Sequence, residues 1–198
     1  MDRQQDLYKH SHLKYKICVS GAAETSHCGR EALEKAKELG LEVARQNGIL
    51  LSGATTGFPF WTAMGAKEAG GITIGFSPAG SEREHVDIYR LPVDYLDLIV
   101  YTGFGYPGRD LILTKASDAV VVACGRIGTI HEFTIAFEEN KPIGVLEGKW
   151  KTDETIRTII ERGHRPSENI VFDSDPHRLV AKLIQKIHAC KAKEHRLI

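Results

Sequence analysis

Short apolar runs alternate with longer stretches whose apolar positions recur at helical spacing, and the alternation runs through almost the whole chain. Seven runs read as strands: Lys16–Ser20 (KICVS), Ile49–Ser52 (ILLS), 72–76 (ITIGF), Leu98–Tyr101 (LIVY), 119–123 (AVVVA), 142–146 (PIGVL) and 169–172 (NIVF). Between them lie helical stretches. The clearest covers 31–46 and closes on Asn47-Gly48, a pair that suits a helix C-terminus. The last helix spans 175–193, with Pro176 in its first turn and Leu179, Val180, Leu183, Ile184 and Ile187 at helical spacing. Continuous apolar strands alternating with helices predict an α/β fold, a Rossmann-like three-layer αβα sandwich with a mainly parallel sheet.

In such a fold, ligands bind beyond the carboxyl ends of the strands, near the point where strand order reverses. Four strand-to-helix loops therefore matter: 20–26 (SGAAETS), 52–57 (SGATTG), 102–110 (TGFGYPGRD) and 123–132 (ACGRIGTIHE). The third contains the spacing G-x-G-x-x-G at Gly103, Gly105 and Gly108, with Arg109 and Asp110 after it. A dinucleotide fingerprint belongs in the first βα unit, followed by an acidic residue at the end of the next strand. Here the spacing follows the fourth strand, and the next strand ends in Cys124-Gly125-Arg126. The glycines read instead as a tight turn, with Asp110 as a candidate helix cap beside Arg109.

The fourth loop leaves a buried strand and opens a helix at Gly125, Arg126, Gly128 and Thr129, a pattern that suits an anion on helix N–H groups. A second reading stands beside it, because Thr129-Ile130-His131-Glu132 also fits the capping box S/T-x-x-E. Ile135 and Ala136 lie on Glu132's own side of the helix, so that carboxylate borders a buried surface. The same helix carries Ile130, Phe133 and Phe137 on another side, more apolar circumference than one sheet face needs. A homodimer or higher homo-oligomer is expected.

Composition narrows the classes. The chain has 198 residues, long enough for one sizeable core, with 26 Lys+Arg against 26 Asp+Glu. Balanced charge gives no field that would draw nucleic acid or an acidic membrane surface, so an anion must be held locally. No apolar run approaches the roughly 18 residues of a membrane span. The start, MDRQQDLYKHSHLKYK, lacks the apolar core of a signal peptide, and a cytoplasmic location is expected. Residues 1–14 read as a polar arm and 15–198 as a single Rossmann-like nucleotide-binding domain. Cys18, Cys28, Cys124 and Cys190 show no C-x-x-C pair, so neither a disulfide nor a zinc framework is expected. No resident metal or cofactor is expected.

Taken in order, Ser52–Gly57, Gly65-Ala66-Lys67-Glu68-Ala69-Gly70-Gly71, Gly108-Arg109-Asp110 and the segment from Gly125 to Glu132 resemble the Lonely Guy and molybdenum-cofactor-carrier-like Rossmann proteins, often mislabelled lysine decarboxylases. The similarity spans roughly 16–148. It implies a nucleotide site at the carboxyl edge of the sheet, commonly in a homodimer. In active relatives an arginine and the glutamate of P-G-G-x-G-T-x-x-E support cleavage of the N-glycosidic bond of a nucleoside 5′-monophosphate. Those positions fall on Arg109 and Glu132, the catalytic candidates. The expected phosphate and nucleotide contacts are Ser20, Gly21, Gly53, Gly108, Gly125, Arg126, Gly128 and Thr129.

The pattern also departs from the family. Cys124 and Arg126 replace the motif's proline and second glycine, and His131 replaces an acidic residue. Asp110 stands where asparagine or lysine is usual, and Pro59 where methionine is usual. If the second glycine needs positive φ, Arg126 costs about 1 kcal/mol or more. The expected ligand is a nucleoside monophosphate or similar phosphate-bearing small molecule. Hydrolysis to base and ribose 5-phosphate is one expectation; a non-catalytic carrier or sensor of a nucleotide or molybdopterin-like cofactor is the other.

Overall fold

The computed structural model describes residues 13–194, so most of the polar arm, residues 1–12, lies outside the described part. Seven strands form one sheet: β1 Lys16–Ser20, β2 Ile49–Ser52, β3 Ile72–Ser77, β4 Leu98–Tyr101, β5 Ala119–Val122, β6 Ile143–Leu146 and β7 Ile170–Asp173. Their order is β4-β3-β2-β1-β5-β6-β7, and every pairing is parallel. The helices are α1 Glu31–Arg45, α2 Phe58–Glu68, α3 Gly105–Ala116, α4 Ile127–Glu138, α5 Thr152–Arg162 and α6 Pro176–Glu194, with a single π-helical turn at Glu84–Ile88.

Alternation along the buried strands divides the interior into two cores. Ile17 and Val19 of β1 join Val121 of β5 and Leu39, Val43, Phe58, Leu179 and Leu183 from α1, α2 and α6. Cys18 between them points the other way, with Val120, Val122, Leu113, Phe133 and Ile156, beneath α3, α4 and α5. Both faces of the sheet are covered, which is why its central strands are apolar without a polar alternate. The architecture is the predicted Rossmann-like sandwich.

The strand order runs one way from β1 to β4 and the other way from β5 to β7. The reversal lies between β1 and β5, which are hydrogen-bonded from Ile17–Ala119 to Ser20–Val122. The loops leaving these two strands face each other, and that is where a ligand crevice forms in this class of sheet.

Two local expectations change. α3 begins at Gly105, so the glycine spacing runs into its first turn and Asp110 sits in its second, not at its cap. Gly103 and Gly105 take φ of +71° and +63°, and their N–H groups donate to Ala79 O and Pro78 O at 2.9 and 3.1 Å. They form a turn docked on the end of β3, beside the edge strand β4. α4 likewise begins at Ile127, so Thr129 is inside the helix and the capping box does not form. Arg126 caps that helix with backbone φ −119° and ψ −154°, an extended conformation open to any residue, so replacing glycine carries no left-handed strain.

Candidate functional site

A cavity of about 600 Å³ opens at the carboxyl end of the sheet, at the reversal point. That is the size of an ordinary small-molecule site. Its walls come from three loops and three helices. Ser20 to Ala23 follow β1, Gly53 and Thr55 follow β2, and Arg126 to Thr129 follow β5. Tyr106, Arg109 and Asp110 reach in from α3, Glu132 from α4 and Pro59 from α2.

Of the residues expected from the sequence, Ser20, Gly21, Gly53, Arg109, Arg126, Gly128, Thr129 and Glu132 line this cavity. Gly108 and Gly125 are not on its surface. Gly108 lies in α3 against Phe104. Gly125 is held from behind, its N–H donating to Thr152 Oγ1 at 3.0 Å while that hydroxyl donates to Gly125 O at 3.1 Å. Thr152 thus fixes the start of the loop, and the N–H groups facing the cavity come from the residues after it. Thr55 and Tyr106 also line the cavity; both lie in loops the sequence marks, but neither is among the expected contacts.

The floor is polar and buried. Ser20, Arg109, Asp110, Thr129 and Glu132 are all at most 6% exposed. The Ser20 hydroxyl donates a short hydrogen bond to the Glu132 carboxylate. Arg109 Nε lies 3.1 Å from Asp110 Oδ1, yet no acceptor is aligned with its N–H. The guanidinium sits 5.6 Å from the Tyr106 ring centre, and its Nη1 is 3.4 Å from Phe76 O. His131 Nδ1 is 3.0 Å from the other Asp110 oxygen. Burial pushes the Glu132 carboxyl from an ordinary 4.5 up to about 7; the Arg109 charge and Ser20 pull it down, and Asp110 pushes it up.

Gly53 explains how Arg109 gets there. A Cβ at this position would overlap the Arg109 guanidinium. The glycine leaves room for that side chain to pass.

Across the cavity, no side chain caps α4; Ile130 N–H donates to Arg126 O, and the N–H groups of Ile127, Gly128 and Thr129 before it have neither an intrahelical nor a capping acceptor. The buried cation and carboxyls on one side and this helix end on the other make an asymmetric site, suited to a ligand with an anionic end and a polar body. At the rim, Arg126 is 61% exposed and 3.9 Å from Glu24. Arg126→Ala should therefore weaken anion binding about two- to fivefold, less at high salt, and leave the melting temperature unchanged. Calorimetric titration at two ionic strengths checks this.

One sequence expectation is overturned beside the cavity. Cys28 and Cys124 form a disulfide, with Cα atoms 5.7 Å apart, although 96 positions separate them in the chain. The pairing of β1 with β5 brings the two loops together, and no local motif announces it.

With this geometry in hand, a model of the SLOG cluster4 family matches residues 14–180. The chain belongs to the SLOG cluster4 family. An uncharacterized protein of Archaeoglobus fulgidus is 30% identical over 132 residues, 67% of this chain and 80% of that one. Among solved structures, the molybdenum cofactor binding protein of Rippkaea orientalis is 28% identical, with a TM-score of 0.70 over 89% of this chain and 99% of its own. The molybdenum cofactor carrier protein of Chlamydomonas reinhardtii is 29% identical, also with a TM-score of 0.70 and the same coverage. This SLOG chain thus has the fold of nucleotide- and cofactor-binding proteins, and no helix among its described residues is long and apolar enough to cross a membrane.

Proposed function

We propose that this SLOG protein binds a phosphate-bearing small molecule in the cavity at the β1/β5 reversal and acts as its carrier or sensor. The ligand class is a nucleoside 5′-monophosphate or a pterin-type cofactor of the molybdopterin kind. The observation that carries this is the uncapped start of α4 in the cavity wall, whose free N–H groups match a phosphate. Arg109, buried with an unaligned Nε donor, adds a partner for the polar body of the ligand. The similar structures from Rippkaea orientalis and Chlamydomonas reinhardtii, a molybdenum cofactor binding protein and a molybdenum cofactor carrier protein, support the same reading.

A second reading is favoured by one further observation, the position of the buried Glu132 carboxyl in the cavity floor beside Arg109. Cleavage of an N-glycosidic bond builds positive charge on the ribose while water attacks its anomeric carbon and the base departs. A buried carboxylate facing that carbon lowers the barrier electrostatically. The products are free base and ribose 5-phosphate.

A panel of nucleoside 5′-monophosphates and isolated molybdenum cofactor separates the readings. Binding by calorimetry with the ligand recovered intact supports the carrier; free base detected by chromatography supports the hydrolase. Failure of every phosphate ligand to bind eliminates both. The same reading places the protein in the cytoplasm as a homo-oligomer. Support for the assembly comes from Phe104 just before α3, Leu111 on it, Leu98 on β4 and Ile88 in the π-helical turn, large apolar side chains left exposed. Light scattering at micromolar concentration tests the assembly.

A further inference from the structure

Beside the ligand cavity, three soft donors meet. Cys28 precedes α1, Cys124 follows β5, and His27 is the neighbour of Cys28. His27 Nε2 lies 3.6 Å from Cys124 Sγ and 3.7 Å from Cys28 Sγ. All three donor atoms lie within 4.8 Å of one another. We propose that His27, Cys28 and Cys124 form a binding site for a soft divalent cation of the zinc type when the cysteines are reduced, and that the disulfide is its oxidised, metal-free state.

The spacing is what a tetrahedral centre requires. With bonds of about 2.3 Å to sulfur and about 2.0–2.1 Å to nitrogen, a tetrahedral edge from N to S is roughly 3.6 Å. The two nitrogen-to-sulfur distances already have that value. The sulfurs must part to roughly 3.8 Å, the sulfur-to-sulfur edge of the same tetrahedron, and breaking the bond between them allows it. The Cα separation of 5.7 Å leaves that adjustment to side-chain rotation.

Charge and surroundings fit as well. A dication with two thiolates is neutral overall, which suits cysteines that are 3% and 0% exposed. His27 is the exposed member, its side chain 37% accessible, and gives the ion a way in. Its other ring nitrogen, Nδ1, faces the Glu24 carboxylate at 3.9 Å, while Nε2 is turned toward the two sulfurs. Glu24 is itself fixed by the Ser26 N–H at 2.7 Å. Three protein donors leave one position of the tetrahedron for water or a ligand atom.

Chemical balance is simple. A dithiol reductant supplies two electrons and two protons, the Cys28–Cys124 bond breaks into two thiols, and the reductant leaves as its own disulfide. The cation then displaces both thiol protons. The centre joins two loops that line the cavity, since Ala22 N–H donates to Cys124 O at 2.8 Å. Its occupancy therefore bears on the shape of the ligand site without depending on which ligand that site takes.

Protein reduced with a dithiol, and freed of it without air, is titrated with Co²⁺ as a spectroscopic substitute for zinc. One equivalent should bind, with thiolate-to-cobalt charge-transfer absorption and the visible bands of a tetrahedral ion, and zinc should displace it. The same protein oxidised to the disulfide should show neither. His27→Ala, Cys28→Ser and Cys124→Ser should each weaken binding by about a hundredfold or more, whereas Cys190→Ser, outside the cluster, should not. Absence of thiolate–cobalt absorption in the reduced protein, equal binding by the oxidised protein, or full affinity in His27→Ala would each overturn the proposal. The comparison of two redox states in the parent decides it even where a variant fails to fold.

Discussion

At pH 8, Arg109→Met is expected to lower the free energy of unfolding by about 3–5 kcal/mol. Arg109 and Asp110 are 6% and 5% exposed and in ionic contact, and Glu132 lies in the same floor. Methionine keeps an unbranched apolar stem of similar reach, so packing changes little and the missing charge dominates. What remains is two buried carboxyls without their permanent cation. Lower pH relieves part of the loss, because Glu132, raised by burial, takes up a proton, so the difference should shrink toward pH 5. Urea denaturation of both proteins at the two pH values measures it. A loss under about 1 kcal/mol at pH 8 would mean that cavity water screens the pair, as at an exposed ion pair.

Glu132→Gln should act in the opposite direction on stability. The Glu132 carboxyl titrates near 7 in the folded protein against 4.5 ordinarily, so the native state holds a proton that the unfolded chain has released. The folded state gains from this below about pH 4.5 and loses that gain as pH rises through about 7. A shift of this size corresponds to about 2–3 kcal/mol once its sharing with Arg109 and Asp110 is allowed for. Glutamine does not titrate, and its amide oxygen still accepts from Ser20. The variant should therefore match the parent near pH 4 and exceed it by about 2 kcal/mol at pH 8. If the protein hydrolyses nucleoside monophosphates, the same variant should lose about a hundredfold in turnover, since the ionised carboxylate is what the ribosyl cation needs. A parent whose stability is flat from pH 5 to 8 would refute the buried acid, and unchanged turnover would remove Glu132 from the chemistry.

The seven strands were legible because each is a buried run bounded by turn residues, and none is misplaced by more than one residue at either end. Helix starts were harder. The Thr129–Glu132 pair satisfies a local capping pattern, but α4 begins two residues earlier, and Glu132 spends its oxygen on Ser20 across the sheet reversal. That contact spans 112 positions, and no local rule weighs it. The Cys28–Cys124 bond was hidden for the same reason, since it follows from β1 lying beside β5. Eight of the ten expected site residues line the cavity because strand ends and glycine loops mark it in the sequence. Tyr106 and Asp110 line it from α3, a helix whose start the glycine spacing concealed.

Gly53 and Arg109 also constrain the order in which this site can change over generations. Any side chain at Gly53 collides with the guanidinium. Shortening Arg109 first empties the space, after which a larger residue at 53 meets no resistance from it. The reverse path passes through an intermediate with a buried arginine displaced from its carboxylate. The two substitutions are therefore non-additive. Descendants that abandon the cationic floor will have lost the arginine before the glycine, and a lineage that restores the arginine must first restore the glycine.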